Sequence, residues 1–219
     1  EPACFLETTG EAVAFFRERL FSRDGVARFA GMTGLSPSES EAALRRHLGV
    51  CFDVCHAAVA FEDPAESLDA LRAAGIAVPK VQLSAALRVP EVDRAAVERL
   101  RDFDDGVYLH QVVARTPGGQ VTRYLDLPEA FAAFDAGMEA GNEWRVHVHV
   151  PVFHAELDGF ASTQPALAAA LAWLRRHGGV PHLEVETYTW RVLPERHRGG
   201  TVEAAIAREL SWSLDGLGA

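Results

Sequence analysis

Three times along the chain a helical stretch stops at glycine, gives way to a short apolar strand, and ends that strand in polar residues. Ser36, Pro37 and Glu39 signal a helix start by cap, first-turn proline and capping-box carboxylate, with Gly49 as its stop. Val50 to His56 then reads as a short buried strand. Asp63-Pro64 opens the next helix, Gly75 closes it, and Val78 to Ser84 is the next strand. A helix from about Gln164 to His177 stops at Gly178-Gly179, and Val180 to Trp190 follows as a strand. Units of this order predict an α/β fold with a parallel sheet, in which function collects at the C-terminal strand ends.

Other stretches fit around this rhythm. Glu1 to Leu6 reads as a strand already under way, so further sequence is expected upstream of Glu1. Thr8 or Thr9 caps a helix through Ala12, Val13, Phe15, Phe16 and Leu20. Pro90 starts a charged helix through Leu100. Val107 to Arg115 and Gln120 to Asp126 flank Thr116-Pro117-Gly118-Gly119 as a β-hairpin, expected as a rim insertion at about 104–127. Trp144 to Pro151 is a strand and Thr201 to Leu214 a final amphipathic helix. The 219 residues, 48% of them hydrophobic, are read as one domain.

A net charge of -10 without a Lys/Arg cluster argues against a nucleic-acid partner, which would need a basic face. Cys4, Cys51 and Cys55 are odd in number and sit in apolar contexts, favouring buried thiols in a reducing compartment over a disulfide frame. No signal peptide and no membrane-length apolar run is seen, so a cytoplasmic protein without a transmembrane segment is expected. Serine-elbow, P-loop and dinucleotide fingerprints are missing.

Chemistry concentrates in a few strand faces. His182, Glu184, Glu186, Tyr188 and Trp190 alternate onto one face, and buried carboxylates persist only when paired, hydrogen-bonded or metal-bound. Asp53 and His56, three apart at a strand end, suit a divalent cation; alternatively Asp53 caps the following turn beside a buried histidine. His147 and His149 share a strand face, either in a site or bonded to nearby carbonyls. Glu186, nearer the strand end, ranks above Glu184, for which a salt bridge to Lys80 or Arg145 is the plain alternative. Lys80, Gln82 and Ser84 share a face, and Gln82 is suited to orient a substrate hydroxyl or metal-bound water. One of His110 and Gln111 can reach over the site from the hairpin. Tyr188, Trp190 and Trp144 can line a pocket or simply pack. Cys51 and Cys55 are read as apolar fillers.

Glu1-Pro2 at a strand start, Asp53-x-x-His56 at a strand end, Gln82 on the next strand and a glutamate on the last strand resemble the xylose isomerase-like TIM barrels. That superfamily spans sugar isomerases, epimerases and an AP-endonuclease group. The phrases Cys51 to His56, Lys80 to Leu87, Leu109 to Gln111, His147 to Pro151 and Glu184 to Trp190 resemble its EboE-type metabolite-traffic branch more closely. The resemblance implies a (β/α)8 barrel, of which this chain supplies the C-terminal part. The missing barrel half would come from upstream sequence or another chain. It further implies a divalent metal ion (Mn, Mg, Co or Zn) held by Asp53, His56, Glu186 and His149 or His147, with Glu186, Glu184 and Glu1 as catalytic glutamates. Lys80, Gln82, His110, Tyr188 and Trp190 would face a small-molecule metabolite. Gln82 stands where the family usually has histidine. The implied activity is sugar isomerisation or epimerisation on a secondary-metabolite precursor; the alternative is a carrier that binds without turnover.

Overall fold

The computed structural model describes residues 2–104, 106–186 and 200–218. Cap chemistry places most helices. α1 (Thr9–Phe15) starts at Thr8, whose hydroxyl accepts from the Glu11 amide while the Glu11 carboxylate accepts from the Thr8 amide, and it runs on through a π-helical turn, Phe16–Leu20. α2 (Arg23–Thr33), capped by Ser22, was not anticipated from sequence. α3 (Pro37–His47) carries the Ser36/Glu39 capping box. The chain continues through β1 (Gly49–Asp53), α4 (Val54–Val59), α5 (Pro64–Ala73), β2 (Ala77–Leu83), β3 (Ala85–Val89) and α6 (Arg94–Leu100). The hairpin strands β4 (Val112–Arg115) and β5 (Val121–Tyr124) precede α7 (Leu127–Asp135) and β6 (Glu143–Val150). Short β7 (Glu156–Leu157) and β8 (Phe160–Ser162) lead to α8 (Gln164–His177), β9 (His182–Val185) and α9 (Val202–Leu217).

The strands form two sheets among the described residues. β1, β2 and β9 are parallel, in the order β1-β2-β9, and keep the helix-to-strand rhythm of the sequence. The second sheet, β5-β4-β6-β3-β8-β7, is antiparallel wherever its strands pair. The α/β class is therefore present, but neither sheet closes into a barrel among the described residues, and parallel grammar governs only the smaller one. The hairpin is not a rim insertion: β4 pairs with β6 from Val112↔Val146 to Arg115↔Glu143, so it is part of the larger sheet.

Three local corrections have clear causes. Residues 2–6 make turns and bends rather than a strand, with Ala3 at φ 61. The strand expected to reach His56 stops at Asp53, because the Asp53 carboxylate accepts from the Cys55 and His56 amides and starts α4. Gly49 opens β1 instead of ending α3; a Cβ there would lie 2.5 Å from the Ala77 carbonyl oxygen, an approach that requires glycine.

Each sheet has its own apolar layer. Phe52, Val81 and Leu83 of the parallel sheet pack on Leu68 and Leu71 of α5 and Leu167, Leu171 and Leu174 of α8. Leu87, Trp144, Val146 and Val148 of the larger sheet pack on Val97 and Leu100 of α6 and Leu127 and Phe131 of α7. Its opposite face meets α4 through Ala86 and Val113 against Cys55 and Val59. A single residue, Ser84, separates β2 from β3, so one continuous stretch passes from the first sheet into the second.

Candidate metal centre at the junction of the two sheets

Parallel register aligns the polar face of the smaller sheet. Cys51, Lys80 and His182 form one level and Asp53, Gln82 and Glu184 the next, with Ser84 and Glu186 beyond, toward the C-terminal ends. Alternation along β6 turns Trp144, Val146 and Val148 into the core and puts Glu143, Arg145, His147 and His149 on the face toward α4. The junction at Ser84 brings these two polar faces together.

Asp53 is both cap and candidate ligand. Its Oδ1 accepts from the Ser84 hydroxyl (2.6 Å), the Cys55 amide (2.8 Å) and the His56 amide (3.4 Å). Its Oδ2 is buried and no well-formed hydrogen bond reaches it; the imidazole Nε2 of His56 stands 3.6 Å away. Burial pushes the Asp53 carboxyl up, but the charges of His56 and His149 and the Ser84 bond outweigh that and hold it below the ordinary range. A side-chain hydrogen bond from Glu186 also holds Asp53 in its charged form, and a buried carboxylate of this kind persists only with such donors or a cation beside it.

Three imidazoles converge beside it. The Nε2 atoms of His56 and His147 are 3.0 Å apart, and those of His147 and His149 are 3.1 Å apart. His147 Nδ1 lies 2.7 Å from Gln111 Oε1; with that amide orientation Nδ1 carries the proton and Nε2 presents its lone pair. Burial, reinforced by the neighbouring imidazoles, holds His147 well below the usual histidine range, in the neutral form that binds metal. One lone pair cannot serve two donors well, whereas two nitrogens bound at about 2.0–2.1 Å to one tetrahedral ion stand about 3.3 Å apart. Asp53, His56 and His149 form one group whose ligand atoms all lie within 4.8 Å of one another. The donor set therefore fits a divalent transition-metal ion.

Glu186 borders the cluster. Its Oε2 accepts from Gln82 Nε2 at 2.6 Å and lies 3.6 Å from His149 Nδ1. Burial and then the adjacent Asp53 charge push this carboxyl up to about 8. Asp53 thus carries the negative charge of the pair and Glu186 the proton.

The remaining candidates fall outside the cluster. Glu184 is ion-paired with Lys80 (2.8 Å), the plain alternative read from sequence, and lies 3.2 Å from His182 Nε2 on a partly exposed face. Lys80 is thereby engaged, one level before Asp53 and Gln82. His110 is buried with its Nδ1 3.9 Å from Asp126, and the hairpin residue that reaches the cluster is Gln111. Glu1, Tyr188 and Trp190 lie outside the described residues. Trp144 is fully buried, with its indole N–H donated to Glu139. Cys4 and Cys51 are exposed rather than buried. Cys55 is buried as expected, yet it groups with His147 and His149 as possible ligands. Its adjacency to His56 was visible in sequence; its approach to β6 was not.

A cleft of about 260 Å³ lined by Thr8, Thr9, Cys51, Asp53, His56 and Glu62 leads to the cluster. A second cavity of about 420 Å³, lined by Arg45, Arg72, Trp173 and His177, lies at the opposite strand ends and contains none of the cluster residues. No helix among the described residues is long and apolar enough to cross a membrane. Comparison with protein-family models, with curated proteins and with solved structures finds no match.

Proposed function

We propose that the chain is a divalent-metal-dependent isomerase or epimerase of the xylose isomerase-like kind, acting on a small polyhydroxy or cyclic metabolite. The observation that carries this reading is the convergence of the His56, His147 and His149 Nε2 atoms beside the buried Asp53 carboxylate. Asp53, His56 and His149 would hold the ion, with His147 beside them. When bound, the ion would supply Lewis-acid polarisation of a carbonyl or hydroxyl oxygen.

The chain's own residues supply the rest. Gln82 fixes the Glu186 carboxyl beside the cluster, where, once its own proton has left to solvent, it can take a proton from a substrate carbon and return it. Gln111 holds the His147 ring, and Ser84 holds Asp53. The cleft is walled by Thr8, Thr9 and Glu62, the Thr9 hydroxyl donating to Glu62, a polar lining suited to a hydroxylated ligand. The parallel strands β1, β2 and β9, with the cluster at their C-terminal ends, are consistent with an arc of the proposed barrel and with EboE-type handling of a secondary-metabolite precursor.

A carrier role has one observation in its favour: Gln82, a neutral amide, occupies the strand position next to Asp53 and spends its N–H on Glu186. Elemental analysis of protein purified without chelator, followed by a panel of sugars, polyols and cyclitols, separates the readings. Bound metal with turnover that is lost in Glu186→Gln supports the enzyme. Bound metal with ligand affinity but no turnover supports the carrier; no divalent ion together with unchanged ligand affinity in Asp53→Ala refutes the enzyme, and turnover of any panel compound refutes the carrier.

A further inference from the structure

We infer that Cys55 is a thiolate ligand, so that the cluster selects a zinc-class ion and not magnesium or manganese. This rests on the metal-site reading above and narrows it.

Cys55, His147 and His149 are all buried, and one ligand atom from each lies within 4.8 Å of the others. This trio shares His149 with the Asp53, His56 and His149 group, which is the one reached from the cleft. The two trios meet at His149; the one with Cys55 is wholly buried, and the one with Asp53 includes the partly exposed His56. One sulfur and two imidazole nitrogens form a soft to borderline donor set, which suits zinc, cobalt or ferrous iron and disfavours hard oxygen-seeking ions.

Local structure fixes the thiol where a ligand is needed. Asp53 caps α4, and the Cys55 amide donates both to Asp53 Oδ1 (2.8 Å) and to the Ser84 hydroxyl (3.0 Å). Those bonds anchor the Cys55 backbone to both sheets at their junction. The side chain then enters the layer between α4 and the larger sheet, beside Ala86, which registers with His149. A thiol serving only as filler among Val59, Ala86 and Val113 would not require two imidazoles at ligand distance. On binding, the ion replaces the thiol proton, which leaves to solvent, and the sulfur electron pair forms the new bond.

The test is cobalt(II) added to the metal-depleted full chain, read by absorption spectroscopy. A thiolate-to-cobalt charge-transfer band in the near ultraviolet is expected in the wild type and Cys51→Ser, and its loss is expected in Cys55→Ser. Excess magnesium should not displace the cobalt. Cobalt binding without the band, or a band lost with Cys51 instead, overturns the Cys55 assignment while leaving the metal site intact. Failure of the wild type to bind cobalt at all overturns the metal site itself. Should Cys55→Ser not fold, X-ray absorption of the zinc-loaded wild type decides: a sulfur scatterer is expected, and a shell of nitrogen and oxygen alone overturns the proposal.

Discussion

His56 and His147 stand 91 positions apart in sequence and 3.0 Å apart at Nε2. One sits in the first turn of α4, and the other in the middle of β6. Their rings meet nearly perpendicularly, with centroids 4.6 Å apart, so each nitrogen addresses the same small space. Replacing His56 or Asp53 with alanine should weaken zinc or cobalt binding by more than the roughly 10–100-fold typical of losing an outer-shell partner. Competition against a chromophoric chelator measures this; unchanged affinity in both variants would remove the centre.

Gln111 tests the supporting shell. Its Oε1 sets the His147 tautomer, reaching the cluster from the start of β4. Gln111→Leu should lower metal affinity roughly 10–100-fold. Gln111→Glu, which keeps an acceptor, should restore most of it. Equal affinities for all three proteins would show that this bond does not orient the ring.

Glu143 governs acid stability away from the site. Burial pushes its carboxyl up, but hydrogen bonds from Arg88 (2.8 Å) and Arg145 (3.0 Å) outweigh this and bring it down to about 2. A carboxyl lowered in the folded state stabilises fully above its unfolded value, near 4.5, and that contribution is lost as pH falls toward about 2. Urea unfolding between pH 6 and 2 should therefore show a drop in stability across that window, and Glu143→Gln should flatten it. An equally steep drop in the variant would assign the acid sensitivity to other carboxylates.

Gly49→Ala should destabilise the fold by about 1–3 kcal/mol, the usual cost of forcing an extra group into a packed position. A Cβ there would meet the Ala77 carbonyl oxygen at 2.5 Å and the Pro79 ring at 2.9 Å, across the β1–β2 pairing that carries Asp53. Thermal denaturation reports the loss, and metal affinity should fall with it because the β1 end shifts. A variant as stable as the wild type would mean that β1 and β2 separate readily at this point.

The local signals that were legible in sequence are those with short-range causes. Ser36 and Glu39 bond reciprocally within one turn, Gln164–His177 is bounded by Pro165 and Gly178, and the polar face of β2 follows from period-two alternation. Asp53 shows both the power and the limit of this reasoning. Its sequence position suits both a cap and a cation ligand; in the structure Oδ1 is bonded to Ser84 and the α4 amides, while Oδ2 lies 3.6 Å from the His56 imidazole.

By itself the sequence determined the caps, the strand faces, and the residue types able to bind a cation: Asp53, His56, His147, His149 and Glu186. Each depends on neighbours within a few residues along the backbone. Tertiary structure alone decided that the hairpin joins β6 in an antiparallel sheet, that Gln111 rather than His110 reaches the cluster, and that Cys55 faces His147 and His149. The physical reason is that strand pairing and helix docking are set by burial summed over distant segments. Period and propensity fix which face a side chain takes, and only the packed layers fix what that face meets.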